Sequence, residues 1–169
     1  MMPLPTATEM RALDEDTIAR LGIPGGILME SAGRGVVTVL HQLHDATKIN
    51  LGQAQILVIA GPGNNGGDGM VIARYLHEQG LRFELWVVAE RSRVRSDALL
   101  HLVAAEAAGV TAHFCDRDTT LLRERLASLQ REDLIVDALL GTGLQRSVTG
   151  GLAQVISSIN ASRAVTVSV

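Results

Sequence analysis

The chain has 169 residues, 47% of them hydrophobic, and this length and apolar content predict one globular domain with a buried core. Its 15 basic and 18 acidic residues give a net charge of −3 and are spread along the chain, so no basic stripe is available to bind nucleic acid. The single cysteine excludes a disulfide framework and indicates a reducing compartment, for which we expect the cytoplasm. No apolar run approaches the roughly 18 residues that cross a bilayer, so we expect no membrane span.

Two helices are predicted before the first strand. Residues 8–21 have an amphipathic pattern, which ends at a glycine- and proline-rich break, and a second helical pattern covers about 27–44. Small residues at close spacing in the second helix, Gly33 and Gly35 among them, permit tight backbone packing. Because such a face can also pack against a second copy, we expect a homodimer.

From residue 55 onward, short apolar runs alternate with helical patterns. Strands are predicted at 56–60, 83–88, 111–114, 134–137 and 164–169, and the helices between them end near 79 or cover 96–108, 119–130 and 152–160. Runs this apolar are typical of strands that are covered on both faces. The alternation predicts an α/β fold: a doubly wound, mostly parallel sheet with helices on both faces, preceded by the N-terminal helical pair.

A glycine-rich loop at 61–69 follows the first predicted strand and opens the next helix. Gly61, Gly63 and Gly66 have the spacing of the dinucleotide-binding fingerprint. Glycines let the backbone turn sharply and approach a ligand, and the N–H groups at a helix start attract phosphate. A larger side chain at Gly67 is then expected to fill space that the ligand needs. The alternative is that these glycines serve only a tight turn from strand to helix.

Three polar residues in this loop are unusual for a hydride-transfer enzyme. Asn64 and Asn65 are adjacent amides, and Asp68 places a carboxylate where a diphosphate would lie. Asp68 can cap the helix by accepting backbone N–H groups. Alternatively, the carboxylate and the amides can supply oxygen ligands to a hard cation.

A second loop follows the predicted strand at 134–137. Asp137 lies at the carboxyl end of that strand, where ligands collect in open α/β sheets, so the two loops are expected to share one crevice. Gly141, Thr142 and Gly143 can cradle another part of a phosphorylated ligand, with Arg146 as its counter-charge. Asp137 can also be a simple turn former.

Together, the motifs at 63–76 and 133–143 resemble the YjeF N-terminal family, the NAD(P)H-hydrate epimerases, which include the apolipoprotein A-I-binding proteins. The resemblance also includes the segment Met29-Glu30-Ser31-Ala32-Gly33, and it covers nearly the whole chain. It implies a Rossmann-like domain of this type spanning residues 1–169. It also implies an isomerase of nicotinamide cofactor repair, which interconverts the R and S epimers of its substrates, hydrated NADH and hydrated NADPH.

The resemblance also implies roles for individual residues. Asn65 and Asp137 look like ligands of a potassium ion. Family members continue the last strand into an Asp-x-Pro-Ser-Gly motif, whose Asp is similar to an acid/base at the nicotinamide ring and whose Ser helps bind potassium. We therefore expect the catalytic aspartate beyond Val169, with the domain truncated on that side, and assign no catalytic residue. The implied substrate-binding residues are Asn64, Asn65, Gly66, Gly67, Asp68, Gly141, Thr142, Gly143, Leu144, Gln145, Arg146 and Ser147.

Two other functions compete with this interpretation. An NAD-dependent oxidoreductase would use the three glycines of the fingerprint, with Glu90 beyond the second predicted strand as the ligand of the ribose. A non-catalytic fragment of the domain would hold a nucleotide or a protein partner without turnover. Epimer interconversion, hydride transfer and binding alone are the observations that separate them.

Overall fold

The computed structural model describes residues 5–46, 49–144 and 147–169. Two helices come first, and a regular alternation of strands and helices follows, as the sequence predicts. The elements in chain order are α1 (Ala7–Leu21), α2 (Gly25–Ala46), β1 (Ile56–Ala60), α3 (Asn64–Glu78), β2 (Phe83–Val87), α4 (Ser96–Ala107), β3 (Ala112–Phe114), α5 (Thr120–Ser128), β4 (Leu134–Ala138), α6 (Gly150–Ala161) and β5 (Val165–Ser168). A short 3₁₀ turn at Arg91–Arg93 separates β2 from α4.

The five strands form one parallel sheet in the order β3-β2-β1-β4-β5. From β1 the chain adds β2 and then β3 on one side of the sheet, and it then returns to add β4 and β5 on the other side. The direction of strand order therefore reverses between β1 and β4. Ala60 is in register with Val87 of β2 and with Ala138 of β4. The loops that follow β1, β2 and β4 therefore leave the sheet at the same edge. The predicted doubly wound α/β fold is confirmed.

The core lies in two apolar layers, one on each face of the sheet. Helices α2, α3 and α4 cover one face, and α5 and α6 cover the other. All five residues of β1 are buried because this central strand is covered on both sides. Fully buried side chains of the two layers include Leu40, Leu76, Leu102, Leu122 and Leu126.

Helix α1 forms as predicted, but its apolar side chains do not enter the core. Thr6 caps its N-terminus in a capping box with Glu9, and Gly22 ends it with a φ of 68°. None of its residues is buried, and Leu13 and Leu21 are 57% and 58% exposed. The face of the sheet on this side is already covered by α2, α3 and α4. An amphipathic pattern predicts which side of a helix is apolar and leaves open whether a partner covers it.

Helix α2 packs against α3 through one of its small residues. A Cβ at Gly33 would lie 2.5 Å from Cγ1 of Val71 on α3. Glycine therefore allows a close approach of helices within the chain, whereas a Cβ at Gly35 would meet nothing within 4 Å. Gly33, one of the small residues, thus serves the packing of α2 against α3 within the domain, and the homodimer stays a prediction.

A polar cluster joins the helices on this face. Glu30 of α2 accepts hydrogen bonds from Nη2 of Arg74 at 2.6 and 2.7 Å and from the Tyr75 hydroxyl at 2.7 Å. Nδ1 of His101 on α4 lies 3.6 Å from the same carboxylate. Burial acts to raise the pKa of Glu30, but the hydrogen bonds from Arg74 and Tyr75 outweigh it and lower that pKa overall. Glu30 is therefore a structural residue that orients α2, α3 and α4.

Candidate functional site

The glycine-rich loop turns sharply from β1 into α3. The helix begins at Asn64, with Gly63 as its N-cap and no side chain capping it. The N–H group of Gly67 donates to the carbonyl of Gly63 at 3.0 Å and closes the first turn. Asp68 lies inside the helix, so the capping role considered for it is wrong: the N-cap is Gly63, five residues before Asp68. The N–H groups of the first turn remain available to an anion.

Two glycines of the loop are required by contacts within the chain. A Cβ at Gly66 would overlap the carbonyl oxygen of Gly61, and a Cβ at Gly61 would overlap the carbonyl oxygen of Leu139. The backbone of the turn thus folds onto itself and onto the segment after β4. This close approach of backbone to backbone is the physical reason for glycine at both positions.

The remaining glycines differ in what they face. A Cβ at Gly67 would overlap the sulfur of Met29 and lie 3.1 Å from the Cα of Ala98. The expectation that a larger side chain there would fill ligand space is therefore corrected, because that space is already occupied by α2 and α4. A Cβ at Gly63 or Gly143 would meet nothing within 4 Å, so both positions border open space.

The loops after β1 and β4 are in direct contact, as the sequence predicts. Nδ2 of Asn65 donates to the carbonyl of Leu140 at 3.3 Å. A Cβ at Gly141 would lie 3.2 Å from the Cβ of Asn65. Oδ1 of Asp137 accepts the N–H of Leu139 at 3.1 Å. Asn65 and Asp137 therefore meet on the same short segment, although they are far apart in the sequence.

This arrangement leaves oxygen atoms that can serve a hard cation. Because Nδ2 of Asn65 is the donor to Leu140, its Oδ1 is free to accept, and the second carboxylate oxygen of Asp137 accepts no hydrogen bond from the described residues. Within the described part of the chain, no three His, Cys, Asp or Glu side chains group as a metal site. The donor set is thus one carboxylate with amide and backbone carbonyl oxygens, which suits a hard, weakly bound ion.

Helix α1 lies over both loops, a placement that the sequence analysis missed. Nη2 of Arg11 donates to the carbonyl of Thr142 at 3.1 Å. The charge of Asp14 acts on Asp68 of α3. The charged face of α1 therefore borders the crevice, while its apolar face remains in solvent. The sequence offered no signal for this, because neither residue belongs to a motif.

Asp68 has an unusual ionisation. Burial of its half-buried carboxyl, with a further contribution from the negative charge of Asp14, raises its pKa from 3.8 to about 7. At neutral pH the carboxyl is therefore about half protonated. The neutral form of the carboxyl can donate a hydrogen bond and carries no charge to repel a phosphate, so the raised pKa reduces the repulsion between Asp68 and a bound phosphate at neutral pH.

The ionisation of Asp68 predicts a pH-dependent stability. In the unfolded chain the carboxyl ionises near pH 3.8, whereas in the folded protein it stays protonated until about pH 7, so stability falls as pH rises between these values. We expect Asp68→Asn to match the wild type near pH 4. At pH 8 it should be more stable by about 2 kcal/mol, a value discounted for partial exposure.

Urea unfolding of both proteins at pH 4.5 and pH 8 measures this difference. Asp14→Asn is the companion variant, because removing the charge that faces Asp68 should reduce the pH dependence without abolishing it. A stability difference between Asp68→Asn and wild type that is the same at both pH values would contradict the raised pKa.

A surface cavity lies at the opposite edge of the sheet. Its volume is about 450 Å³, and its lining includes Gln55, Arg82 and Thr111, which precede β1, β2 and β3. In open parallel sheets, ligands bind beyond the carboxyl ends of the strands. The cavity faces the amino ends, so we place the candidate site at the two loops.

The sheet order and the paired loops define a Rossmann-like α/β domain. The profile of the family described as YjeF-related protein N-terminus matches residues 25–169. The chain is 36% identical to the NAD(P)H-hydrate epimerase of Limosilactobacillus fermentum, over 97% of this chain and 71% of that protein. It is 32% identical to the one from Rhodopirellula baltica, over 99% of this chain and 64% of that protein. The chain belongs to the YjeF N-terminal family, so the resemblance and, at family level, the epimerase and isomerase prediction are confirmed.

A solved structure agrees with the fold. The crystal structure of the yeast protein Ynu0 superposes with a TM-score of 0.77 at 24% identity, covering 99% of this chain and 70% of that one. A bifunctional NAD(P)H-hydrate repair enzyme of Moorella thermoacetica is 36% identical over 99% of this chain but only 31% of its own length. The chain spans about two thirds of the length of the epimerases from Limosilactobacillus fermentum and Rhodopirellula baltica.

Proposed function

We propose that this chain is an NAD(P)H-hydrate epimerase that interconverts the R and S epimers of hydrated NADH and NADPH. The observation that carries the proposal is the contact between Asn65 and the segment at Leu140 and Gly141. It joins the two loops into one crevice at the carboxyl edge of the sheet. The family membership supports the reaction, because the curated relatives carry this name.

The substrate would lie across both loops. The uncapped N–H groups at the start of α3 attract its diphosphate, and the open space beside Gly63 and Gly143 admits it. Asp68 can donate a hydrogen bond while protonated. The proposed substrate-binding residues are Asn64, Asn65, Gly66, Gly67, Asp68, Gly141, Thr142, Gly143, Leu144 and Ser147, with Gln145 and Arg146, which lie outside the described residues. Gly67 would contribute through its backbone alone, because a side chain there would face α2 and α4.

The proposed cation is potassium, held by Oδ1 of Asn65 and the carboxylate of Asp137 with carbonyl oxygens of the second loop. A bound cation would supply positive charge between the carboxylate and an anionic ligand. The reaction that we expect is the loss and return of water at the hydrated ring carbon, with a carboxyl group moving the proton.

The test is epimer interconversion. Purified protein is mixed with one epimer of hydrated NADPH, and the second epimer is followed by chromatography with and without potassium. We expect interconversion that potassium stimulates. Binding of the hydrated nucleotide without turnover would identify a non-catalytic binding module instead. Hydride transfer from NADH to a carbonyl compound would identify an oxidoreductase.

We further propose that the protein works as a homodimer in the cytoplasm. Exposed apolar side chains on α1, α2 and α4 support a second copy as partner, with Leu13, Leu21, Ile27 and Leu100 each more than half exposed. No helix among the described residues combines the length and apolar character needed to cross a bilayer.

A further inference from the structure

The loop after β2 carries three arginines within five residues, and they differ in their partners. Arg91 donates to the carboxylate of Glu106 on α4. Arg93 donates to Oδ1 of Asp116 at 3.3 Å. Arg95 is exposed and makes neither a hydrogen bond from its side chain nor an ion pair with any residue in the described ranges. Glu106 and Asp116 are thus already paired, and Arg95 has no ion-pair partner in the part of the chain that the structure describes.

The loop that presents Arg95 is held in place on both sides. Val94 is 2% exposed and packs into the core next to the 3₁₀ turn at Arg91–Arg93. The ion pairs of the two preceding arginines fasten that turn to α4 and to the chain after β3. Arg95 therefore extends into solvent from an anchored backbone, which lowers the entropy lost when it binds a ligand.

Arg95 stands at the same edge of the sheet as the glycine-rich loop. The N–H of Val88 donates to the carbonyl of Ala60 at 2.8 Å, so the chain leaving β2 runs beside the end of β1. Three residues after Arg95, the Cα of Ala98 lies 3.1 Å from where a Cβ on Gly67 would be. The first turns of α3 and α4 are thus in contact, and Arg95 flanks the place where the nucleotide is proposed to bind.

The two acidic residues that flank the arginines in the sequence, Glu90 and Asp97, are directed elsewhere. Oδ1 of Asp97 lies 3.8 Å from the Cβ position of Gly26, at the start of α2. Glu90 accepts the hydroxyl of Ser92 at 3.4 Å. In folds that bind a dinucleotide this way, the end of the second strand meets the 2′ position of the adenosine ribose. An acid there binds the hydroxyl, and an arginine accommodates a 2′-phosphate.

We propose that Arg95 binds the 2′-phosphate of the nucleotide, so that the protein prefers hydrated NADPH to hydrated NADH. A guanidinium ion and a phosphate monoester make strong charge-assisted hydrogen bonds with matched geometry. The choice of hydrated substrate rests on the proposed function. Recognition of the 2′-phosphate can be measured by ligand binding, without any enzymatic turnover.

The test compares two ligands that differ only in this phosphate. ADP-ribose and 2′-phospho-ADP-ribose are titrated by calorimetry into the wild type, into Arg95→Gln and into Arg131→Gln. Arg131 is the matched control, because it is exposed and precedes β4 at the opposite edge of the sheet. We expect the wild type and the control to bind the phosphorylated ligand roughly tenfold to hundredfold more tightly. Arg95→Gln should lose this preference and bind ADP-ribose as the wild type does.

The kinetic arm measures kcat/KM for the two hydrated nucleotides with the same three proteins. The expected result is a loss confined to hydrated NADPH in Arg95→Gln. If no protein turns over either substrate, while the wild type prefers 2′-phospho-ADP-ribose and Arg95→Gln does not, the proposed function fails and the role of Arg95 stands. Equal affinities in the wild type, or an unchanged preference in Arg95→Gln, would overturn the role of Arg95.

Discussion

Replacing Asp137 with asparagine is expected to lower kcat/KM for hydrated NADPH roughly hundredfold and to remove the stimulation by potassium. The asparagine side chain keeps an oxygen that can accept the N–H of Leu139, so the loop retains that hydrogen bond. What is lost is the negative charge and one oxygen ligand beside Asn65. The measurement is epimerase activity over a range of potassium concentrations at constant ionic strength, with choline as the replacement cation.

The control for this prediction is Asp16→Asn. Asp16 is an exposed carboxylate on α1 that pairs with Arg20 one helical turn away. Its replacement removes the same charge from the protein but leaves the crevice intact, so its potassium dependence should equal that of the wild type. A folded Asp137→Asn protein with wild-type potassium dependence would exclude Asp137 as a ligand of the ion.

Replacing Gly66 with alanine is expected to destabilise the protein by about 3 kcal/mol. The added Cβ would overlap the carbonyl oxygen of Gly61, which belongs to the backbone and cannot rotate away. Relief requires moving α3 away from β1, the most completely buried strand of the sheet. Urea unfolding at pH 7 measures the change in the free energy of unfolding. If the destabilisation exceeds the stability of the wild type, no soluble, folded protein is obtained.

The matched control lies three residues earlier in the same loop. Gly63 has a φ of −95°, which any residue adopts, and a Cβ there would meet nothing within 4 Å. Gly63→Ala should therefore change the free energy of unfolding by less than about 1 kcal/mol. Equal stability of Gly66→Ala and Gly63→Ala would show that the turn is looser than the contact with Gly61 implies.

Local patterns were sufficient to predict the elements. The apolar runs predicted each strand to within two residues at either end, because a strand covered on both faces needs a continuous apolar sequence. The alternation with helices was sufficient for the parallel sheet, since parallel neighbours require crossover connections and helices supply them. Helix α1 shows where this reasoning ends: Leu13 and Leu21 have the spacing of a buried face and lie in solvent.

The sequence predicted where the candidate site lies but not which atoms are in contact there. Both loops follow strands, and the carboxyl ends of parallel strands share an edge, so Asn65 and Asp137 were expected to be near each other. The role of each glycine was not predictable in the same way. Gly67 faces α2 and α4, whereas Gly63 faces open space, and only the packing of distant elements distinguishes the two.

The sequence by itself thus determined the α/β fold, the family and the two loops, because these depend on periodicity and on motifs that are local in the chain. The tertiary structure decided which atoms meet: the amide of Asn65 with the carbonyl of Leu140, and the charge of Asp14 with the carboxyl of Asp68. The pKa of about 7 at Asp68 illustrates the reason. It depends on burial and on the charge of Asp14, which lies 54 residues earlier, and neither is encoded in the residues next to Asp68.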